Sequence, residues 1–177
     1  MMQCTGEPSH LQRALPPLKN FGGSTIGGNT MLHPDFKELI RLLNKHNVPY
    51  LEVGGYAVAL HGYPRYTKDI AIWVWLAPEN AERMIAALVD FGFGDLAIQA
   101  EDFTTPDQVI QLGYPPARID ILTTLSGVEF DECYDSRLEV EMDETLIKFI
   151  DLDGLKKNKR ATGRLQDLAD LENLDSE

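Results

Sequence analysis

Apolar residues in this chain recur at two periods, and the switches between them outline the elements. From Pro34 to His46, Phe36, Leu39, Ile40, Leu42 and Leu43 return at helical spacing, with Lys37, Glu38, Arg41 and Lys45 between them. Pro34 suits the first turn of that helix, where its missing N–H would have no partner anyway. Tyr50-Leu51-Glu52-Val53 reads as a short strand running into Gly54 and Gly55. A second helix, about Tyr56 to His61, closes at Gly62. From Asp69 to Leu76 the period drops to two: Ile70, Ile72, Val74 and Leu76 share one face, and Asp69, Ala71, Trp73 and Trp75 share the other.

Pro78 to Phe91 carries a further amphipathic stripe of Ala81, Met84, Ile85, Leu88 and Val89, ended by Gly92 and Gly94. Gln108 to Leu112 and Arg118 to Leu122 read as strands joined through Gly113-Tyr114-Pro115-Pro116. Asp120 lies between Ile119 and Ile121 and so points to the opposite face. Leu138 to Val140 and Leu146 to Ile150 are shorter strand candidates. Two short helices, about Leu152 to Ala161 and Leu165 to Leu174, meet at Gly163 and end the chain. These elements predict an α/β (α+β) domain, a small mixed sheet with helices on one side and two short C-terminal helices. Residues 1–30, with Pro8, Pro16, Pro17 and several glycines and no sustained period, are expected to be a flexible extension. The domain then spans residues 31–177.

Composition leaves that outline standing. The 177 residues are 44% hydrophobic and 25% charged, as in ordinary globular proteins, and suffice for one core. No apolar run is long enough to span a membrane, and no secretory leader is recognisable. Cys4 and Cys133 are too few for a disulfide framework, which points to a cytoplasmic protein.

Charge changes the picture more. The net charge of −12 argues against gripping extended duplex nucleic acid, which calls for a basic footprint. Yet Lys156, Lys157, Lys159, Arg160 and Arg164 crowd one short stretch near the C-terminus. That stretch is either a local basic face or a solvated helix surface.

Candidate chemistry gathers between Gly54 and Asp120. Two glycines at a helix start let an anionic group approach unpaired N–H donors, although such pairs are often only tight turns. Magnesium takes hard oxygen ligands, usually a few carboxylates plus substrate phosphates. Carboxylates at i and i+2 of a strand share a face, and a third from a neighbouring strand completes such a site. Asp69 and Asp120 stand at the first and third of those places; each is alternatively a turn or cap residue. Arg65 and Lys68 are suited to hold phosphate or lie on the surface, and Arg118 shares a face with Asp120. His61, with no second His or Cys near it, reads as packed or capping.

Taken together, Gly54-Gly55, Arg65-x-Thr67-x-Asp69 and Arg118-Ile119-Asp120-Ile121-Leu122 resemble the pattern of the DNA polymerase beta-like nucleotidyltransferase superfamily. Val53-Gly54-Gly55-Tyr56-Ala57-Val58 with His61-Gly62 is similar to bacterial nucleotidyltransferase-like proteins of the AbiEii toxin type. So is the ending Lys159-Arg160-Ala161-Thr162-Gly163-Arg164-x-x-Asp167-x-x-Asp170. The resemblance spans about Met31 to Leu174. It implies a nucleotidyltransferase fold and Mg2+-dependent (or Mn2+-dependent) transfer of a nucleotidyl group from an NTP. The acceptor would be an RNA, tRNA among the candidates, or a protein hydroxyl, and the partner an antitoxin. By the same resemblance Gly54 and Gly55 hold the triphosphate, Asp69 ligates the metal ions, and Asp120 joins the metal site and activates the acceptor. Arg65, Lys68, Lys157, Lys159 and Arg160 meet phosphate or acceptor. One position departs from the pattern: Ala71 stands where the family has the second aspartate of Asp-x-Asp, and a methyl group cannot ligate a metal. The expected consequence is a disabled transferase, either a natural pseudoenzyme or a chain inactivated by replacement of one residue. An NTP-binding regulator and a structural partner in a complex are the alternatives.

Overall fold

In the computed structural model, residues 32–176 are described. The predicted extension at residues 1–30 lies outside them. The chain forms six α-helices and six strands among the described residues: α1 (Pro34–Lys45), β1 (Tyr50–Glu52), α2 (Gly55–Leu60), β2 (Asp69–Val74), α3 (Pro78–Leu88), β3 (Val109–Leu112), β4 (Arg118–Leu122), α4 (Phe130–Asp135), β5 (Leu138–Met142), β6 (Thr145–Phe149), α5 (Leu152–Thr162) and α6 (Leu165–Leu174). The strands make one open mixed sheet in the order β3-β4-β2-β1-β6-β5. The protein is therefore of the α/β class. None of its described helices is long and apolar enough to cross a membrane.

Pairing alternates along the sheet. β2 runs parallel to β4 and antiparallel to β1; β1 runs parallel to β6; β3 and β5 close the two edges antiparallel to their neighbours. In the β2–β4 pair Asp69 faces Arg118, Ile70 faces Ile119, Ala71 faces Asp120 and Ile72 faces Ile121. Strand alternation then sorts these residues: Ile70, Ile72, Ile119 and Ile121 are all buried, while Asp69, Ala71, Arg118 and Asp120 share the other face and are half-exposed.

Helices cover both faces, not one side as the sequence pattern suggested. α1 packs on α3 and β6. Its Phe36, Leu39, Ile40 and Leu43 join Ala81, Met84, Ala87 and Leu88 of α3 in the buried core. On the opposite face α4, absent from the sequence reading, sets Phe130 edge-on against Trp73, ring centroids 5.0 Å apart. α4 was hidden because Phe130-Asp131-Glu132-Cys133-Tyr134-Asp135 is too short and too acidic to show a helical stripe. Val89, expected in the α3 stripe, is 52% exposed, because α3 ends at Leu88 and a wider turn over Val89–Phe93 swings it out.

The C-terminal helices dock through charge. α6 turns Asp167 and Asp170 inward with Leu171 and Leu174, and all four are buried. Lys159 of α5, also buried, lies 3.1 Å from Asp167 and 2.9 Å from Asp170. Arg65, in the loop before β2, reaches the same Asp170 at 3.0 Å. Removing one partner of a buried ion cluster costs about 3–5 kcal/mol, because the remaining charges are left unpaired. Lys159→Met should therefore lower unfolding free energy by about that amount in urea titration. Pairing it with Asp170→Leu should recover part of the loss; a loss under about 1 kcal/mol would contradict the clamp.

Candidate functional site

The face of the sheet that α4 leaves open begins at the N-terminal ends of β2 and β4, where the ladder sets four polar or small positions side by side. Arg118 Nη2 donates to Asp69 Oδ2 at 2.8 Å and to Asp120 Oδ2 at 3.0 Å. One guanidinium nitrogen thus bridges the two carboxylates singled out in the sequence. Asp69 is further fixed by Thr67, whose hydroxyl lies 2.9 Å from the Asp69 carbonyl oxygen and 3.1 Å from its Oδ1. Asp120 is more enclosed than Asp69, with side-chain exposures of 16% and 39%. Its Oδ1 is buried without a hydrogen-bond partner. Burial raises the Asp120 pKa above the usual carboxylate range, against the lowering pull of Arg118. Ala71 stands directly across from Asp120 and offers only a methyl group.

The glycine turn abuts this cluster. A Cβ on Gly54 would come within 2.9 Å of Ala71 Cβ and 3.0 Å of Glu52 Oε1. A Cβ on Gly55 would meet Thr67 Cβ and Oγ1 at 2.8 Å. Close packing against β2 and its lead-in loop thus accounts for both glycines without a ligand. Nor is the helix start open to an anion. Glu52 Oε1 accepts from Gly54 N at 3.0 Å, and its Oε2 accepts from Ala57 N at 2.6 Å. A carboxylate of the protein itself takes the donors that the sequence reading reserved for phosphate.

Glu52 was not among the residues that sequence reasoning selected. It is fully buried, and that burial pushes its pKa from 4.5 to about 7 against the pull of the backbone N–H groups and of Lys159. Tyr56 was missed too. Burial, with the charges of Glu52 and Asp69, raises its phenol to about 12, and its ring packs edge-on against Phe36. The available signal for Glu52 was an acidic residue inside a strand, two positions before a double glycine.

The other predicted contacts fall elsewhere. Arg65 is turned to Asp170 of α6, and Nη2 donates to it at 3.2 Å. Lys68 is exposed beside Asp69. Lys159, expected to meet phosphate or acceptor, is instead buried between Asp167 and Asp170, where its ammonium is committed to those carboxylates. Lys157 pairs with Asp153 at 2.8 Å, and Arg160 lies 3.7 Å from Asp175; both are exposed. Lys156 and Arg164 likewise have acidic partners, Asp175 and Asp167. Each basic residue of the stretch thus has an acidic partner, although Lys156 and Arg160 share Asp175 and Lys159 and Arg164 share Asp167. His61 is a packing residue, its Nε2 donating to the Ile150 carbonyl oxygen at 2.9 Å.

Among the described residues no group of three or more His, Cys, Asp or Glu could hold a metal ion. Asp69 and Asp120 share a guanidinium, and Ala71, directly opposite Asp120, adds no side-chain oxygen. This donor set does not fit a magnesium pair, which needs several carboxylate oxygens around each ion. The chain matches no family model and no curated protein.

Between pH 4.5 and about 7 the folded chain holds a proton on Glu52 that the unfolded chain has released. Glu52 therefore stabilises the fold fully below pH 4.5, and that contribution is lost as pH rises through about 7. Urea midpoints of the wild type measured from pH 5 to 8 should decline more steeply than those of Glu52→Gln. Parallel profiles would show that Glu52 does not titrate there.

Proposed function

We propose that this chain is a nucleotidyltransferase-type protein, with that superfamily's fold, whose transfer chemistry is suspended at Ala71. The reaction class is movement of a nucleoside monophosphate from an NTP to a hydroxyl of RNA or protein. The setting would be cytoplasmic, in a toxin–antitoxin or phage-defence pair. One observation carries this reading: the in-register β2–β4 ladder that brings Asp69, Ala71 and Asp120 together on an open face beside the Gly54–Gly55 turn. Residues far apart in the chain, chosen for one kind of chemistry, meet at one place.

Within this reading each residue has a task. Asp120, its pKa raised by burial, is suited to take the proton of an acceptor hydroxyl. Lys68, exposed beside Asp69, is suited to meet phosphate charge. Gly54 and Gly55 let the β1–α2 turn pack tightly against Ala71 of β2 and against Thr67 in its lead-in loop. An aspartate at 71 would set three carboxylates on two neighbouring strands, the kind of donor set that a divalent ion and a triphosphate require.

A second reading is a nucleotide- or partner-binding protein without chemistry, and the closed Asp69–Arg118–Asp120 contact favours it. One experiment separates the two. Ala71→Asp, incubated with Mg2+, each α-labelled NTP and total cell RNA or protein, should transfer label where the wild type transfers none. A gain of two or more orders of magnitude is the expected size for restoring an essential ligand, about 3 kcal/mol of transition-state stabilisation. Absence of label with all four nucleotides would sink the transferase reading.

A further inference from the structure

The contact that makes the site a poor metal centre also explains how it holds its shape. Asp69 begins β2 and Asp120 lies in the middle of the neighbouring parallel strand β4, and both point to the same face. Two ionised carboxylates so placed repel, and partial burial of Asp120 raises the cost. Something cationic must sit between them. Here it is Arg118 Nη2, 2.8 Å from one and 3.0 Å from the other. Arginine stays charged across the whole accessible pH range, so this cation is permanent.

We infer that Arg118 is a built-in cation for this site: its guanidinium occupies the place between Asp69 and Asp120, and a divalent ion enters only by displacing it. Three observations converge. Both carboxylates spend an oxygen on the same nitrogen. Asp120 Oδ1 and Arg118 Nε are each buried without a hydrogen-bond partner, so the contact is held by charge rather than by a saturated bidentate fork. The identity of residue 71 fits the same balance. Two carboxylates against one guanidinium leave a single negative charge, whereas a third carboxylate at 71 would double that excess and call for a doubly charged ion. Alanine at 71 and arginine at 118 thus form a matched pair. The pair leaves the cluster with one excess negative charge rather than two.

The inference concerns ion occupancy and stands apart from the transfer chemistry. Failure of Ala71→Asp to label an acceptor would leave it untouched. Its test is Mn2+ titration, with free ion followed by electron paramagnetic resonance, on the wild type, Arg118→Gln, Arg118→Lys and Arg118→Gln combined with Asp69→Asn. Arg118→Gln should bind Mn2+ at least about tenfold more tightly than the wild type, the equivalent of losing one bridging charge. Its thermal midpoint should rise with Mn2+. Arg118→Lys should behave as the wild type does, and Asp69→Asn should abolish the gain. Wild-type Mn2+ binding as tight as that of Arg118→Gln, and lost on Asp69→Asn, would overturn the inference. So would an Arg118→Gln chain that folds and gains nothing. If Arg118→Gln does not fold, the wild type against Asp69→Asn decides: tight, Asp69-dependent Mn2+ binding refutes the inference, and its absence supports it.

Discussion

The parallel pairing of β2 with β4 is the constraint on which the rest depends. It lies inside the sheet, with β3 on one flank and β1, β6 and β5 on the other. Because a strand's side chains alternate, one register decision does two things at once. It buries Ile70, Ile72, Ile119 and Ile121 in the core, and it aligns Asp69, Ala71, Arg118 and Asp120 on the opposite, half-exposed face. A slip by one residue would drive carboxylates into the core. The hydrophobic requirement therefore fixes the polar constellation, and the site comes as a by-product of the core.

Buried charge is the second organising element. Glu52, Lys159, Asp167 and Asp170 are all buried, and each is held by specific partners. Burying ions costs several kcal/mol apiece, so such groups are poor candidates for added stability over apolar residues of similar size. What they supply is position. Asp170 accepts both Lys159 and Arg65, so it ties the C-terminal helix pair to the loop that delivers Thr67 and Asp69. Glu52 ties the β1–α2 turn through Gly54 and Ala57. Both anchors bear on the same corner of the sheet, one from the end of the chain and one from its first strand.

Much of this was legible from residue spacing, and the omissions have physical causes. The periodic segments were found, and β2, β3, β4, α5 and α6 lie within a residue or two of where alternation and capping put them. α4 was lost because six residues with three acids carry no helical stripe. The candidate site residues Asp69, Ala71 and Asp120 do come together, because alternation within β2 and β4 is a local property that sequence displays. The partners of Arg65, Lys159 and Glu52 were not legible. Each depends on a contact between elements distant in the chain, and composition shows a lysine-rich stretch in the same way whether its charges face solvent or a buried aspartate. For Lys159 the surrounding Gly154, Leu155 and Asn158, all buried with it, mark the inward face of α5. That face becomes visible only once α6 is seen to carry two acids on its own inward side.

Ala71 and Arg118 together set the charge balance of the aligned face. A carboxylate cluster can be stabilised by an ion taken from solution or by a cation of the chain itself, and the two solutions differ in what they allow. An exchangeable ion can bring a phosphate with it, because its coordination shell is open. A guanidinium committed to two carboxylates has little left to offer a ligand, and it arrives with the fold. At a site where Asp120 is already partly desolvated, one methyl group in place of a third carboxylate shifts the balance from the first solution toward the second. The same backbone, register and glycine turn are compatible with either. The scaffold is thus read from the ladder, and the chemistry from the charge count of four side chains that the ladder aligns.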